Sequence, residues 1–149
     1  MSDASPALAV SPMADGDTEA VVALWQRCGL TRPWNDPAAD IAFARRGPNS
    51  AILVGRRDGA VVATVMVGHD GHRGWFYYLG VEPGLQGQGL GQTMTKAAES
   101  WLVARGIAKA QLMVRADNAR VRAFYAALGY GEQERIIFAK WLDGRDLTP

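Results

Sequence analysis

LGVEPGLQGQGLGQTM, Leu79 to Met94, places four glycines in the eight residues from Gly84 to Gly91. The residues before it, Trp75 to Tyr78, are apolar and aromatic and read as a strand. The residues after it place Leu90, Met94, Ala97, Ala98, Trp101 and Leu102 at helical spacing. A plain strand-to-helix turn needs one glycine or two, and each extra glycine costs chain entropy. A glycine-rich entry to a helix does have a use. The first N–H groups of the helix lack intrahelical partners, the dipole adds partial positive charge, and glycine lets an anion approach the backbone closely. Phosphate binding is therefore expected over Gln86, Gly87, Gln88, Gly89, Leu90, Gly91 and Gln92.

Two common phosphate loops fail here. A P-loop requires Lys and then Ser or Thr after its last glycine, but Gly89 is followed by Leu90 and Gly91 by Gln92. The dinucleotide fingerprint breaks at Gln92 or at Met94, depending on the starting glycine, and Lys109 stands where its acid is required.

Outward from the loop, Asp58-Gly59 is a hairpin signal between runs Ala51 to Arg56 and Ala60 to Gly68, and HDGHRG (69–74) joins the second run to WFYYLGV. Upstream, Ala7 to Met13 reads as a first strand, with Asp15 or Asp17 starting a helix striped by Val21, Val22, Leu24, Trp25 and Cys28 and stopped at Gly29. Asp36-Pro37 opens a second helix running to about Arg46. Downstream, Gly106 ends the helix after the loop and Ala110 to Val114 is a strand. A helix follows, started by Asp117 or Asn118, lined by Val121, Phe124 and Leu128 and stopped at Gly129, and Ile136 to Leu142 is a last strand. The predicted order is β-α-α-β-β-β-α-β-α-β-β, an α/β (α+β) fold with a mixed sheet flanked by helices, in one domain over residues 1–149.

Composition narrows the function classes. The 149 residues are 48% apolar and 21% charged with a net charge of +1, which argues against a nucleic-acid partner. No run is apolar enough for a membrane span, and Met1 to Pro6 has neither a basic nor an apolar leader segment. One cysteine, Cys28, excludes an intrachain disulfide, reads as a small buried hydrophobe, and fits a cytoplasmic protein. His69, Asp70 and His72 read as a hairpin turn rather than a metal site, so no metal is expected.

The pattern Q-x-x-G-x-G, as Gln86, Gly89 and Gly91 after Val81-Glu82-Pro83, together with N118ARVRAFYAALGY130, resembles the GNAT N-acetyltransferases over nearly the whole chain. The match to the later motif departs at Val121, where the family has Ala. HDGHRGWFYYLGVEP and LTRPWNDP are similar to the YpeA branch of that family. The later motif also resembles the RimI-type acetylases of ribosomal-protein amino termini, which carry a Glu base where this chain has Met113.

The resemblance implies a six- to seven-stranded GNAT sheet and acetyl-CoA as cosubstrate. Its pyrophosphate would sit on the glycine loop and its pantetheine arm along Leu79, Gly80 and Val81. A bulge there would free a backbone N–H, at Val81 by analogy, to stabilise the oxyanion, and Gly80 would permit close approach of a ligand. Asn118 would contact the coenzyme arm and Tyr125 would protonate the departing thiolate; Asn118 also suits an N-cap, and Tyr125 a core position.

Trp75 and Tyr77 stand where family bases sit and neither suits that work at neutral pH; Glu82, His72 and Asp70 remain as candidates. Trp34, Asn35, Asp36 and Tyr77 would wall the acceptor pocket, with Trp34 as an aromatic wall and Asp36 as an anchor for a cationic amine. The acceptor is a small-molecule amine, a protein N-terminus or a lysine, and a homodimer through the last strands is a family-level expectation. The rival reading is a module that binds acyl-CoA without turnover.

Overall fold

The computed structural model describes residues 7–147. Its elements run β1 (Ala9–Pro12), α1 (Thr18–Arg27), α2 (Pro37–Ala44), β2 (Ser50–Arg57), β3 (Ala60–His69), β4 (Gly74–Val81), α3 (Leu90–Val103), β5 (Ala110–Gln111) and α4 (Ala119–Ala127). The chain divides after Met113 into two compact units. The first holds the sheet with α1, α2 and α3, and the second holds α4.

Turn chemistry sets the strand order β1-β2-β3-β4-β5. Asp58 and Gly59 take φ of 53° and 82°, the left-handed pair that folds β2 onto β3. Asp70 closes the next turn: its Oδ1 accepts the N–H groups of His72 and Arg73 at 2.9 and 2.8 Å. These bonds lower the Asp70 carboxyl to about 2. The strands from β1 to β4 are antiparallel, and the crossover through α3 brings β5 in parallel to β4.

Both faces of the sheet are covered. Ile52 and Val54 join Val21, Leu24 and Trp25 of α1 and Ile41 of α2 in one apolar cluster. Leu53, Val65, Val67 and Phe76 alternate to the other face and are buried, as are Leu90, Met94, Ala98 and Leu102 of α3. Burial on two sides explains why β2 and β3 read as continuous apolar runs. Gly74 has its own packing reason, because a Cβ there would run into the Leu102 side chain.

Two expectations are corrected. The sheet has five strands among the described residues, against the six or seven expected. β5 stops at Gln111, short of the expected Val114, and Ile136 to Leu142 forms no strand. Ile136, Phe138 and Leu142 are 84%, 93% and 94% exposed. Strand propensity expresses fit to a half-buried pleated surface, and an apolar run with no paired edge does not realise it.

One polar network crosses the core of the first unit. The Trp25 indole N–H donates to Thr64 Oγ1 at 3.0 Å, and the Thr64 hydroxyl donates to the Tyr78 carbonyl at 3.1 Å. Thr64→Val keeps the shape and strands both partners. It is expected to lower stability by about 1–3 kcal/mol, read as a lower urea midpoint at constant slope.

Candidate active site

The site begins with an interruption in β4. Thr64 pairs with Gly80 and Met66 with Tyr77, so Val65 alone opposes both Tyr78 and Leu79. This is a bulge, centred one residue before the expected Leu79–Val81 stretch. Tyr78 takes a φ of 53°, unusual for a non-glycine residue. Two neighbours hold it there: Trp25 stacks on its ring at 3.8 Å between centroids and 6° between planes, and Thr64 binds its carbonyl. The bulge breaks the alternation of the strand, and the consecutive Tyr77 and Tyr78 both line one cleft.

Beyond the bulge, β4 has an open edge. Its parallel pairing with β5 is confined to Gly74↔Ala110 and Trp75↔Gln111. Along that side Phe76 to Val81 have no ladder partner among the described residues. The Val81 carbonyl is instead met by the Cys28 thiol at 3.2 Å and by the Gln86 amide at 3.4 Å. The close approach that Gly80 permits is that of Leu30 and Cys28, which a Cβ would meet at 3.1 and 3.3 Å.

The strand feeds directly into the glycine loop. Gly87 and Gly89 have φ of 83° and 81°, the left-handed region where a side chain is strained. Gly89 is the N-cap of α3, and no side chain of the described residues caps that terminus. The first helical bond runs from the Thr93 N–H to the Gly89 carbonyl at 3.1 Å, so Leu90, Gly91 and Gln92 present the N–H groups that precede it. The Leu90 side chain is buried and anchors the start of the helix. Gln88 is tied to the end of β2, where its Oε1 accepts from Arg57 Nη1 at 3.0 Å. Arg57 Nε is buried and has no hydrogen-bond partner among the described residues. No motif marks Arg57, because its proximity to the loop arises from the β2–β3 hairpin.

The cleft on the α2 side of β4 has a volume of about 510 Å³ and is lined by Asn35, Asp40, Phe43, Met66, Tyr77 and Tyr78, among others. Asn35 and Tyr77 were expected there. Trp34 and Asp36 are not among the lining residues, and Asp36 Oδ1 caps α2 by accepting the Ala39 N–H at 3.2 Å. The carboxylate in the cleft is Asp40, one turn further on, which accepts the Tyr78 hydroxyl at 2.7 Å. Burial, and then Asp40, push the Tyr78 phenol well above its ordinary value.

The base candidates lie apart. Glu82 follows the last residue of β4 and binds Arg27 Nε at 2.9 Å. His72 is exposed in the β3–β4 turn, six residues before the bulge and about 20 Å away at the rise of an extended strand.

In the second unit, Asn118 rather than Asp117 caps α4, its Oδ1 accepting the Val121 N–H at 3.2 Å. Tyr125 is 8% exposed, with Phe124 and Tyr130 edge-on to its ring. Burial raises its phenol to about 12, so it is protonated throughout the neutral range.

A model of the acetyltransferase (GNAT) family matches residues 18–130. The chain belongs to the GNAT acetyltransferase family. An acetyltransferase of Yersinia enterocolitica is 44% identical over 126 residues, covering 85% of this chain and 89% of the relative. Among solved structures, the ribosomal-protein-S18-alanine N-acetyltransferase of Escherichia coli superimposes with a TM-score of 0.75 at 26% identity, covering 93% of this chain and 88% of that one. The aminoglycoside N-acetyltransferase AAC(6')-Iy, in complex with a bisubstrate analogue, has a TM-score of 0.79 at 17% identity, covering 91% and 98% of the two chains, and shares the fold. This GNAT protein is an acetyl-CoA-dependent N-acetyltransferase. Among its described residues no helix is long and apolar enough to cross a membrane, and no three His, Cys, Asp or Glu side chains gather as a metal site.

Proposed function

We propose that acetyl-CoA lies along the open edge of β4 with its pyrophosphate on the backbone amides from Gly87 to Gln92, and that the acceptor amine enters through the cleft walled by α2. The observation that carries this reading is the continuity of the free β4 edge with the uncapped start of α3. An unpaired edge supplies alternating N–H and C=O groups to an amide-bearing arm, and a helix N-terminus supplies donors and partial charge to phosphates. Bound there, acetyl-CoA supplies the thioester that the amine attacks.

The residues of the chain do the rest. Backbone at Leu79, Gly80 and Val81 orients the arm, and an N–H at Val81 stabilises the developing oxyanion. The cleft aligns the amine and excludes water. Glu82 takes the amine proton through water, since it stands beside the end of β4 while His72 lies at the far turn. The family resemblance gives Tyr125 the role of acid toward the departing thiolate and Asn118 that of a ligand of the coenzyme arm. Within the family, the segments quoted above support membership of the YpeA branch, and a small-molecule amine or a protein amino group is its acceptor.

Calorimetry with acetyl-CoA, paired with free-thiol release over a panel of amines, tests the reading. One-site binding and amine-dependent thiol release are expected. Binding without thiol release for any amine of the panel would overturn the placement of the acceptor in the cleft, and absence of binding would overturn the placement of the coenzyme.

A further inference from the structure

We infer that Asp40 is the residue that selects the acceptor, by holding a second cationic group of a dicationic amine in the cleft between α2 and β4. This rests on the proposed placement of the acceptor in that cleft. Asp40 is the sole acidic or basic side chain lining it among the described residues, and Phe43, Met66, Tyr77 and Tyr78 give the cleft its apolar and aromatic walls. Asp40 Oδ2 accepts the Tyr78 hydroxyl at 2.7 Å, and among the described residues its side chain has no other hydrogen bond or ion pair. The tyrosine fixes the direction of the carboxylate and leaves acceptor capacity for an ammonium. Arg32, the cation near Tyr78, turns its Nη1 to the Gly29 and Thr31 carbonyls at 2.8 and 2.9 Å.

Asp40 suits a remote charge rather than the attacking nitrogen. The nucleophile has to lose its proton, and a carboxylate paired with it holds the ammonium form in place. Tyr78 marks the bulge, and the strand continues from it to Gly80 and Val81, where the thioester is placed. The inference requires the methylenes between the two amines to run from Asp40 past the Tyr78 ring toward that stretch. The Tyr77, Tyr78 and Phe43 rings offer the apolar and cation-binding surface such a chain needs.

The test compares 1,4-diaminobutane with n-butylamine, titrated by NMR into the wild type, Asp40→Asn and Tyr78→Phe, each with and without coenzyme A. The wild type is expected to bind the diamine about tenfold more tightly than the monoamine. Asp40→Asn keeps an acceptor for the Tyr78 hydroxyl and is expected to lose that preference, with KM for the diamine rising and kcat little changed in thiol release. Tyr78→Phe leaves the carboxylate and is expected to keep the preference or strengthen it.

A wild type without preference, or an Asp40→Asn variant that retains it, overturns the inference. So does equal loss in both variants, which would make Asp40 only a tether for α2. Coenzyme A affinity is read on the same samples. Failure there removes the cofactor placement and leaves the amine comparison to be judged by itself.

Discussion

Gly89→Glu is expected to weaken acetyl-CoA binding about a hundredfold, equivalent to about 2.8 kcal/mol. Gly89 caps α3 at a φ of 81° and carries no side chain between the helix start and the proposed pyrophosphate. Glutamate changes two things there. Any L side chain in the left-handed region costs about 1–2 kcal/mol, which appears as lower stability and a loosened loop. The carboxylate adds repulsion: at about 5 Å from one phosphate charge and an effective dielectric of about 20, about 3 kcal/mol. Gly89→Gln carries the same backbone strain and nearly the same bulk without the charge. It is expected to share the loss in melting temperature and to weaken acetyl-CoA by no more than about tenfold. The difference between the two variants isolates the electrostatic part, and it is expected to shrink as salt rises. If Gln and Glu weaken binding equally, the loop does not hold an anion and the placement of the coenzyme along β4 falls with it.

What could be read from the sequence was what short segments decide for themselves. Asp58-Gly59 forms its turn because both residues tolerate positive φ, and Asp36-Pro37 starts α2 because a carboxylate caps and a proline fits the first turn. The glycine loop belongs to the same class. Gly87 and Gly89 stand in left-handed conformations and leave that trace in composition.

The cleft was less legible because its chemistry depends on tertiary register. Asp36, at the helix start, was the expected anchor for a cation, yet its oxygen goes to the Ala39 N–H. Asp40 becomes the carboxylate of the cleft only when it meets Tyr78, 38 residues away. That meeting in turn requires a bulge that turns two consecutive tyrosines the same way. Nothing local announces positive φ at a tyrosine. It is imposed by Trp25 and Thr64, 53 and 14 residues distant in sequence from Tyr78. Ile136 to Leu142 failed for the complementary reason, since its strand propensity was real and the partner edge it needed is not written in the segment.

Tyr125→Phe is expected to lower kcat about a hundredfold while the affinity for acetyl-CoA stays within about twofold of the wild type, the lower end of what general acid catalysis contributes. A thiolate leaving from a thioester in a water-poor site is a poor leaving group until it is protonated. The Tyr125 phenol, raised to about 12 by burial, holds its proton at every pH where the enzyme works. Phenylalanine keeps the ring and its edge-on contacts with Phe124 and Tyr130, so α4 is expected to keep its packing. The loss therefore falls on a step after binding. The pH profile separates this role from a structural one. If Tyr125 supplies the proton, the wild-type rate falls on the alkaline side as the phenol ionises, toward pH 12, and the Phe variant lacks that limb. A merely packed tyrosine would leave kcat unchanged on substitution, and water would then be the acid.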